Sequence, residues 1–586
     1  MITKKQYQSF IECPRYYYFN NVTKIIELDS FSEYLRKQSL SIRRCAYSYF
    51  GEYTFIEYNR DDYQSMADKT KEAINNGSST IINATFIYKD IALIIDMLHK
   101  VNDSYDLFDI KASVKNHAIN QDVMLLEYYV MFHQDYIHIN SLNLLHINDQ
   151  YVFQDSLNIQ EFLKIDTLKL TTLLSIKETD EEKNLKSEDI LNEEIEEERE
   201  KVFKGIEATL DKIKEYQLED KTIAVSKCKR SHEKCSYFET CFKDIPTYNV
   251  FTLYNLQKPF AFYNKGYISY ADVFNQLSDK DSLVKEQIDY TLNNRPLKLE
   301  KDKVYTFIHK LHYPIYHLDY ETIQTSLPNI KGFKPNEMRI TQYSIHKQST
   351  IQGQPKHYKY LQESLYDNRK EVAEHLIKDL GKRGTILAYN AHYEAARTRE
   401  LAYAVPEYQE ELLKIASRII DLEELFDDRS IYAKDMNGSD SIKHVLPGLL
   451  GDNTYNEIDC QNGQDAISMY DQLIHSNQAS KEHKKLKRDL ITYSTQDTYS
   501  MVLILDKIYD VLKERSDALE YYLNTVKVTK SNSKEIINQL IEYHLIESPV
   551  ITNNHFYIED ECDFAYTNLR DAYYKAAKAI IKAYKK

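Results

Sequence analysis

The chain of 586 residues contains no tryptophan at all. Set beside 50 tyrosines and abundant Asn, Lys and Ile, that absence reads as the codon bias of an AT-rich genome, not as a functional signal. No apolar run approaches the roughly 18 residues needed to cross a bilayer, so no membrane partner is expected. The opening stretch, MITKKQYQSFIECPRYYYF, is polar and tyrosine-rich and does not read as a signal peptide. Cysteine is scarce and odd in number, seven in all, which argues against a disulfide framework and for a reducing cytoplasm. In such a setting a cysteine is a metal ligand, a buried apolar residue or a nucleophile. There is no short-period repeat, and the length exceeds what one core supports, so two or three domains are expected. A basic excess is also missing. The net charge is −15, against the usual pattern of a nucleic-acid binder. Much of that excess is local, in ETDEEKNLKSEDILNEEIEEERE (178–200), which reads as a solvated helix. Carboxylates are also what metal sites require, so charge alone decides nothing.

The patterning is that of an α/β protein. Residues 1–246 read as one domain: a helix over KKQYQSFIECPRYYYFNN, then helix, Gly-Ser turn and strand over TKEAINNGSSTIINATFIY. The runs IALIIDMLHK and YDLFDIKAS form a hairpin through VNDS, NQDVMLLEYYVMFHQ has helical spacing, and YIHINSLNLLHIN alternates as a strand. Residues 247–310 read as a helical connector. Residues 311–515 form a second domain, with strands in PIYHLDYET, RITQYSIHKQ and GTILAYN. A helix, AHYEAARTRELA, follows the third strand, and a long helix beginning KEHKKLKRDLITYSTQDTYS closes the domain. Residues 516–586 are a mixed tail ending in a basic amphipathic packing helix, LRDAYYKAAKAIIKAYKK.

Two constellations carry chemistry. In the first domain, Asp96 lies on one strand and Asp109-Ile110-Lys111 on the next. Residues i and i+2 of a strand face the same side, so Asp109 and Lys111 point into one site. Carboxylate oxygens suit Mg²⁺ or Mn²⁺, which acidifies a bound water, while an ammonium stabilises the charge that develops at phosphorus. An isolated D-x-K is weak and also fits a strand-edge ion pair. Around it stand Cys13 in IECPRYYYF and, far downstream, Cys228, Cys235 and Cys241 in CKRSHEKCSYFETC. This arrangement resembles RecB-like PD-(D/E)xK nucleases with an iron–sulfur cluster, including the CRISPR adaptation exonucleases and the AddB nuclease domain. The resemblance implies a [4Fe–4S] cluster on Cys13, Cys228, Cys235 and Cys241, a structural staple across the domain. Structural zinc, with His232 as a further ligand, is the alternative. Cys45, Cys460 and Cys562 read as ordinary cysteines. The chain departs from that pattern in lacking a His between Cys13 and Asp96, in carrying Asn83 near IINATF where relatives have an acid, and in reading Glu127-Tyr128 where Gln-Tyr is typical.

In the second domain, HLDYET supplies Asp319 and Glu321, LAYNAHYEAARTREL supplies Asn390 and Glu394, and ITYSTQDTYSMV supplies Tyr493 and Asp497 one helical turn apart. This order resembles the DEDD 3′–5′ exonucleases of the RNase H-like fold. Tyr493 four residues before Asp497 marks their tyrosine branch, since the histidine branch would need His at Thr492. The resemblance implies two metals held by Asp319, Glu321, Glu394 and Asp497, with Tyr493 orienting the attacking water. Glu394 stands where most members have Asp, with Asp421 in RIIDLEELF as a fallback ligand. Lys443 in SDSIKHVLPGLL would contact substrate phosphate.

The whole order from residue 1 to about 510 is similar to a bacterial and mollicute family that fuses an iron–sulfur RecB-like module to a DEDD exonuclease-like module, a family that supplies no known substrate. It implies a metal-dependent nuclease with two catalytic modules. The expected substrate is single-stranded DNA, with RNA a close second, in repair, recombination or phage defence. The alternative is a nucleic-acid-binding or scaffold protein with a degenerate first site.

Overall fold

The apolar runs that read as strands pair into two separate sheets, one in each of two units. The computed structural model describes residues 1–23, 29–114, 120–176, 188–218, 235–451, 460–525, 550–552 and 555–557, and the molecule is mixed α/β. Unit 1 comprises Met1–Thr247, Tyr263–Gly266 and Gln324–Met338, and unit 2 comprises Tyr248–Phe262, Tyr267–Ile323 and Arg339–Lys586. Among the described residues no helix is long and apolar enough to cross a membrane.

In unit 1 the strands are β1 (Ile2–Thr3), β2 (Thr54–Phe55), β3 (Thr80–Tyr88), β4 (Ile91–Val101), β5 (Ser104–Lys111), β6 (Ile139–Ile147) and β7 (Leu163–Leu168). They run in the order β2-β3-β4-β5-β6-β7, with β1 lying parallel against β4. β3 and β4 are buried on both faces, which is why each reads as a nearly unbroken apolar run. The predicted hairpin forms, with β4 and β5 antiparallel through the Asn102–Asp103 turn. β5 and β6 are parallel, and the helix Gln121–Phe132 makes the crossover between them. That helix buries seven of its residues, Glu127 among them, so it is enclosed almost all round.

The first helix, Lys4–Glu12, starts at a capping box: Thr3 Oγ1 accepts from the Gln6 amide at 3.3 Å and Gln6 Oε1 accepts from the Thr3 amide at 2.9 Å. The acidic stretch expected to be a solvated helix enters the helix Glu188–Leu218, whose Ile206, Leu210 and Ile213 recur at helical spacing and are buried in the core of unit 1.

Unit 2 holds β8 (Lys298–Leu299), β9 (Ile315–Ile323), β10 (Arg339–Gln348), β11 (Lys356–Leu361), β12 (Ile386–Ala388), β13 (Ile419–Asp421) and β14 (Ile431–Tyr432). Five form a sheet in the order β11-β10-β9-β12-β13; β9, β10 and β11 are antiparallel, and β12 and β13 continue it in parallel. β8 and β14 pair separately. The helix Ala391–Ala404 follows β12, and the long helix Lys481–Thr525 buries Met501, Ile504, Leu505 and Ile508 in the core. The stretch 247–310 carries the helices Pro259–Tyr263, Tyr270–Phe274, Ser282–Leu292 and Lys301–His309 and lies in unit 2 apart from Thr247 and Tyr263–Gly266. Of the tail, the end of the long helix and two paired strands, Val550–Thr552 and His555–Tyr557, are described. The basic helix expected at its end lies outside the described residues.

Candidate active site

In unit 2, β9 carries Asp319 and Glu321 on one face of the sheet, opposite Ser344 and Gln342 of β10. The long helix lies over that face and supplies Asp497. Ligand oxygens of Asp319, Glu321 and Asp497 all lie within 4.8 Å of one another, the one group of three or more metal-ligating side chains among the described residues that converges so closely. Burial pushes the carboxyls of Asp319 and Glu321 well above their ordinary range, Asp497 adds to this through like charge, and Lys443 opposes it. Asp319 Oδ2 is buried and accepts no hydrogen bond. Crowded, partly uncompensated carboxylates are what a divalent cation would neutralise, so this donor set fits Mg²⁺ or Mn²⁺.

A polar seam fixes the helix on the sheet. Gln342 Nε2 donates to the Leu490 carbonyl at 2.9 Å and also to Ser494 Oγ. Ser344 Oγ meets Thr498 Oγ1 at 2.7 Å, and His346 Nδ1 meets the same hydroxyl at 2.8 Å. Ser494 and Thr498 immediately follow Tyr493 and Asp497, so the seam sets which way those two residues face. Tyr493 is 5 % exposed. Burial first, then Asp497, Glu321 and Asp319, raise its hydroxyl far above the ordinary range and keep it a neutral donor. Lys443 Nζ lies 5.3 Å from the Tyr493 ring centroid and donates to the Gln461 carbonyl.

Glu394 lies outside the trio, in the first turn of Ala391–Ala404, 3 % exposed and with Oε2 accepting no hydrogen bond. Burial, with Asp421 and Glu423 nearby, lifts its carboxyl to about 8. Its charge also acts on Asp319 and Glu321. Asp421 is occupied otherwise: Oδ1 accepts from the amides of Asn390 at 3.1 Å and Glu423 at 3.0 Å, and Oδ2 from Ala391 at 2.9 Å. It therefore caps the Glu394 helix, whose N-cap Asn390 takes a left-handed conformation at φ 62°. Cys460 is fully buried beside this site, and Glu321 contributes to raising its thiol.

Unit 1 brings Asp96, Asp109 and Lys111 together, but with unforeseen partners. Asp96 Oδ1 accepts from Arg43 at 2.5 Å and Oδ2 from the Ile110 amide at 2.9 Å. Asp109 Oδ1 accepts from Lys4 at 3.1 Å, and Lys111 Nζ forms an ion pair with Oδ2 at 2.6 Å. Lys4 also donates to Glu127 Oε1 at 2.6 Å. Nothing in the sequence marks Lys4 or Arg43 as members of this site, and Glu127 stands out only as the departure from the typical Gln-Tyr pair. Asn83 takes a left-handed φ of 56° and spends its amide on the Ile56 carbonyl at 3.1 Å.

Of the four cysteines, Cys228 lies outside the described residues, as does His232. Among the described residues the other three do not converge as closely as the carboxylates of unit 2, and what links them is electrostatic. The Cys241 thiol is raised by burial, lowered by Arg15, and raised again by the charges of Cys235 and Cys13. Aromatic packing joins the two segments: Tyr237 sits 4.8 Å from the Phe19 ring and 5.7 Å from that of Tyr16, and its hydroxyl donates to Asn20 Oδ1 at 2.9 Å.

No curated protein and no solved structure matches the chain. Residues 316–441 match a sequence family described as a domain of unknown function, DUF2779, a span that takes in Asp319, Glu321, Glu394 and Asp421 and stops short of Lys443, Tyr493 and Asp497.

Proposed function

We propose that unit 2 is a metal-dependent 3′–5′ exonuclease of the DEDD type, RNase H-like in fold, acting on single-stranded nucleic acid, DNA in preference to RNA. The observation that carries this reading is the convergence of Asp319, Glu321 and Asp497 within 4.8 Å, with Tyr493 on the same helix one turn before Asp497. Asp319, Glu321 and Asp497 would hold divalent metal, with Glu394 beside them. When bound, Mg²⁺ or Mn²⁺ supplies an activated water and charge stabilisation for in-line displacement at phosphorus. The protein's own part is positional. Tyr493 presents a neutral hydroxyl to orient water, and Lys443 places a cation beside it where a substrate phosphate is drawn in.

Unit 1 we read as a PD-(D/E)xK nuclease-like half held by a [4Fe–4S] cluster on Cys13, Cys228, Cys235 and Cys241, with structural zinc as the competing occupant. What supports this is that Cys13 and Cys235 both act on the Cys241 thiol and that Tyr237 packs on Phe19 and Tyr16 beside Cys13. The carboxylates of Asp96 and Asp109 are engaged by Arg43, Lys4 and Lys111, which favours a substrate-clamping role over a second cutting site. The two-module resemblance and a role in repair or phage defence in the cytoplasm belong to the same proposal.

The test is degradation of end-labelled single-stranded DNA and RNA in Mg²⁺ or Mn²⁺ by wild type, Asp319→Ala, Lys111→Ala and the double variant. The expected result is metal-dependent shortening from the 3′ end that Asp319→Ala abolishes and Lys111→Ala spares. Binding without cleavage by the wild type on either substrate would move the assignment to a nucleic-acid scaffold.

A further inference from the structure

The unit 1 pocket already contains cations of its own. Asp96, Asp109 and Glu127 are 4 %, 1 % and 1 % exposed, and carboxylates so buried are costly unless paired. Each is paired within the chain. Arg43 and the Ile110 amide donate to the two oxygens of Asp96 and Lys4 donates to Asp109 Oδ1, while Asp109 Oδ2 accepts no hydrogen bond and is compensated by its ion pair with Lys111 at 2.6 Å. Lys4 goes further, since one ammonium reaches Asp109 at 3.1 Å and Glu127 at 2.6 Å. It therefore occupies Asp109, one of the two aspartates expected to hold metal, and ties it to Glu127. Three side-chain cations face three carboxylates, so the charge an added divalent ion would neutralise is already balanced by Lys4, Arg43 and Lys111.

The placement of Lys4 is built in. β1 is hydrogen-bonded into the sheet beside β4, the strand that carries Asp96, with Ile2 opposite Ile91 and Thr3 opposite Ala92. The Ile2 amide donates to the Asp90 carbonyl at 2.7 Å, Ile2 is buried, and the Thr3 capping box starts the helix at Lys4 itself. The ammonium is thus delivered by a strand end and a helix start, both fixed.

We propose that the Asp96–Asp109–Glu127 pocket of unit 1 is closed to divalent metal by Lys4, whose ammonium is ion-paired with both Asp109 and Glu127, so that metal-dependent chemistry is confined to unit 2. This rests on the reading of unit 2 as a metal site and restricts it to one place. It also accounts for the pattern in the sequence, where Glu127 replaces the typical Gln: a second carboxylate is what a bridging lysine needs.

The test is a Mn²⁺ titration of the full chain, purified anaerobically and followed by the electron paramagnetic resonance signal of free Mn²⁺. It compares wild type, Asp319→Ala/Asp497→Ala, and that double variant with Asp109→Asn added. The expected result is a saturable site in wild type and none in the double variant. A saturable site that survives in the double variant and disappears with Asp109→Asn would overturn the proposal. Binding equal in all three proteins would instead sink the unit 2 metal site and leave the closure of unit 1 standing. A second readout is Mn²⁺-dependent cleavage of end-labelled single-stranded DNA by Asp319→Ala/Asp497→Ala. None is expected, and cleavage that Lys111→Ala removes would refute the closure.

Discussion

Gln342 on β10 donates its side-chain amide to the main-chain carbonyl of Leu490, 2.9 Å away on the long helix, three residues before Tyr493. A carbonyl inside a helix normally accepts from the amide four residues on, so this second bond anchors the helix to the sheet without relying on side-chain shape. Gln342 lies opposite Glu321 in the β9–β10 register, which ties the helix to the same rung of the sheet that holds a metal-ligating carboxylate. Replacing Gln342 by Leu should leave Ser494 Oγ without this donor and cost about 1–3 kcal/mol of stability. Turnover should fall more than binding, because Tyr493 and Asp497 lose their registration. Urea denaturation and separate kcat and KM values on single-stranded DNA would check both. A kcat unchanged in a destabilised variant would reduce the seam to a purely structural feature.

The raised carboxyls make a pH prediction. Glu394, at about 8, holds a proton in the folded chain over a range where the unfolded chain, with an ordinary carboxyl near 4.3, has released it. The folded state then binds more protons, so the stability it contributes is complete below about pH 4 and is lost as pH rises towards 8. Asp319 and Glu321 are shifted in the same direction. Metal-free protein should therefore lose thermal stability between pH 5 and 8 more steeply than Glu394→Gln, measured as Tm across that range. Added Mn²⁺ should restore more at pH 8 than at pH 6, because fewer protons must be displaced.

Much of both sites was legible from sequence. Asp96 and Asp109-x-Lys111 fall on paired strands because alternation and a short polar turn mark a hairpin, and Asp319, Glu321, Tyr493 and Asp497 converge because strand and helix periods put each pair on one face. The unread parts have one physical character: they depend on contacts between residues far apart in the chain. Lys4 meets Asp109 and Glu127 across more than a hundred residues, and no local pattern distinguishes it from the adjacent Lys5. Asp421 reads as an acid near an acidic site, and only the parallel pairing of β12 with β13, which sets Ala388 beside it, turns it into a helix cap. The short strands β1, β2 and β13 went unread because two or three residues carry no period.

Removing the bridging cation should be costly. Lys4→Met leaves Asp109 with Lys111 alone and Glu127 with no ion partner among the described residues, both nearly fully buried. Breaking one member of such a pair costs about 3–5 kcal/mol, and Lys4 keeps a fifth of its surface exposed, which places the expected loss towards 3. Adding Glu127→Gln should recover part of it by removing the stranded charge. Guanidinium denaturation of the single and double variants measures this. Equal stability of both single and double variants with wild type would mean that the ammonium is solvated in solution and does not bridge.

The cysteines make a compositional prediction. Protein purified without oxygen should be brown and carry about four irons per chain. Cys235→Ser should lose the iron and the visible absorbance while Cys460→Ser, at a fully buried position beside the other unit's site, keeps them. Colourless protein with one zinc per chain would replace the cluster with a structural zinc site.

Tyr493 offers the sharpest separation of chemistry from structure. Its ring is buried among Ile323, Tyr470, Leu486 and Leu490, and phenylalanine keeps that packing while removing only the hydroxyl. The hydroxyl is held neutral by burial and by the acids around it, so its one chemical contribution is to hydrogen-bond a water or a phosphate oxygen. Tyr493→Phe should therefore lower kcat by roughly 100-fold, the scale of a single positioned proton-handling group, with Mn²⁺ affinity, KM and Tm near those of wild type. Asp497→Asn, by contrast, should weaken Mn²⁺ binding and turnover together. If Tyr493→Phe retains full kcat, water is oriented by another group. Glu394, whose Oε2 accepts no hydrogen bond within the site, is then the next residue to vary.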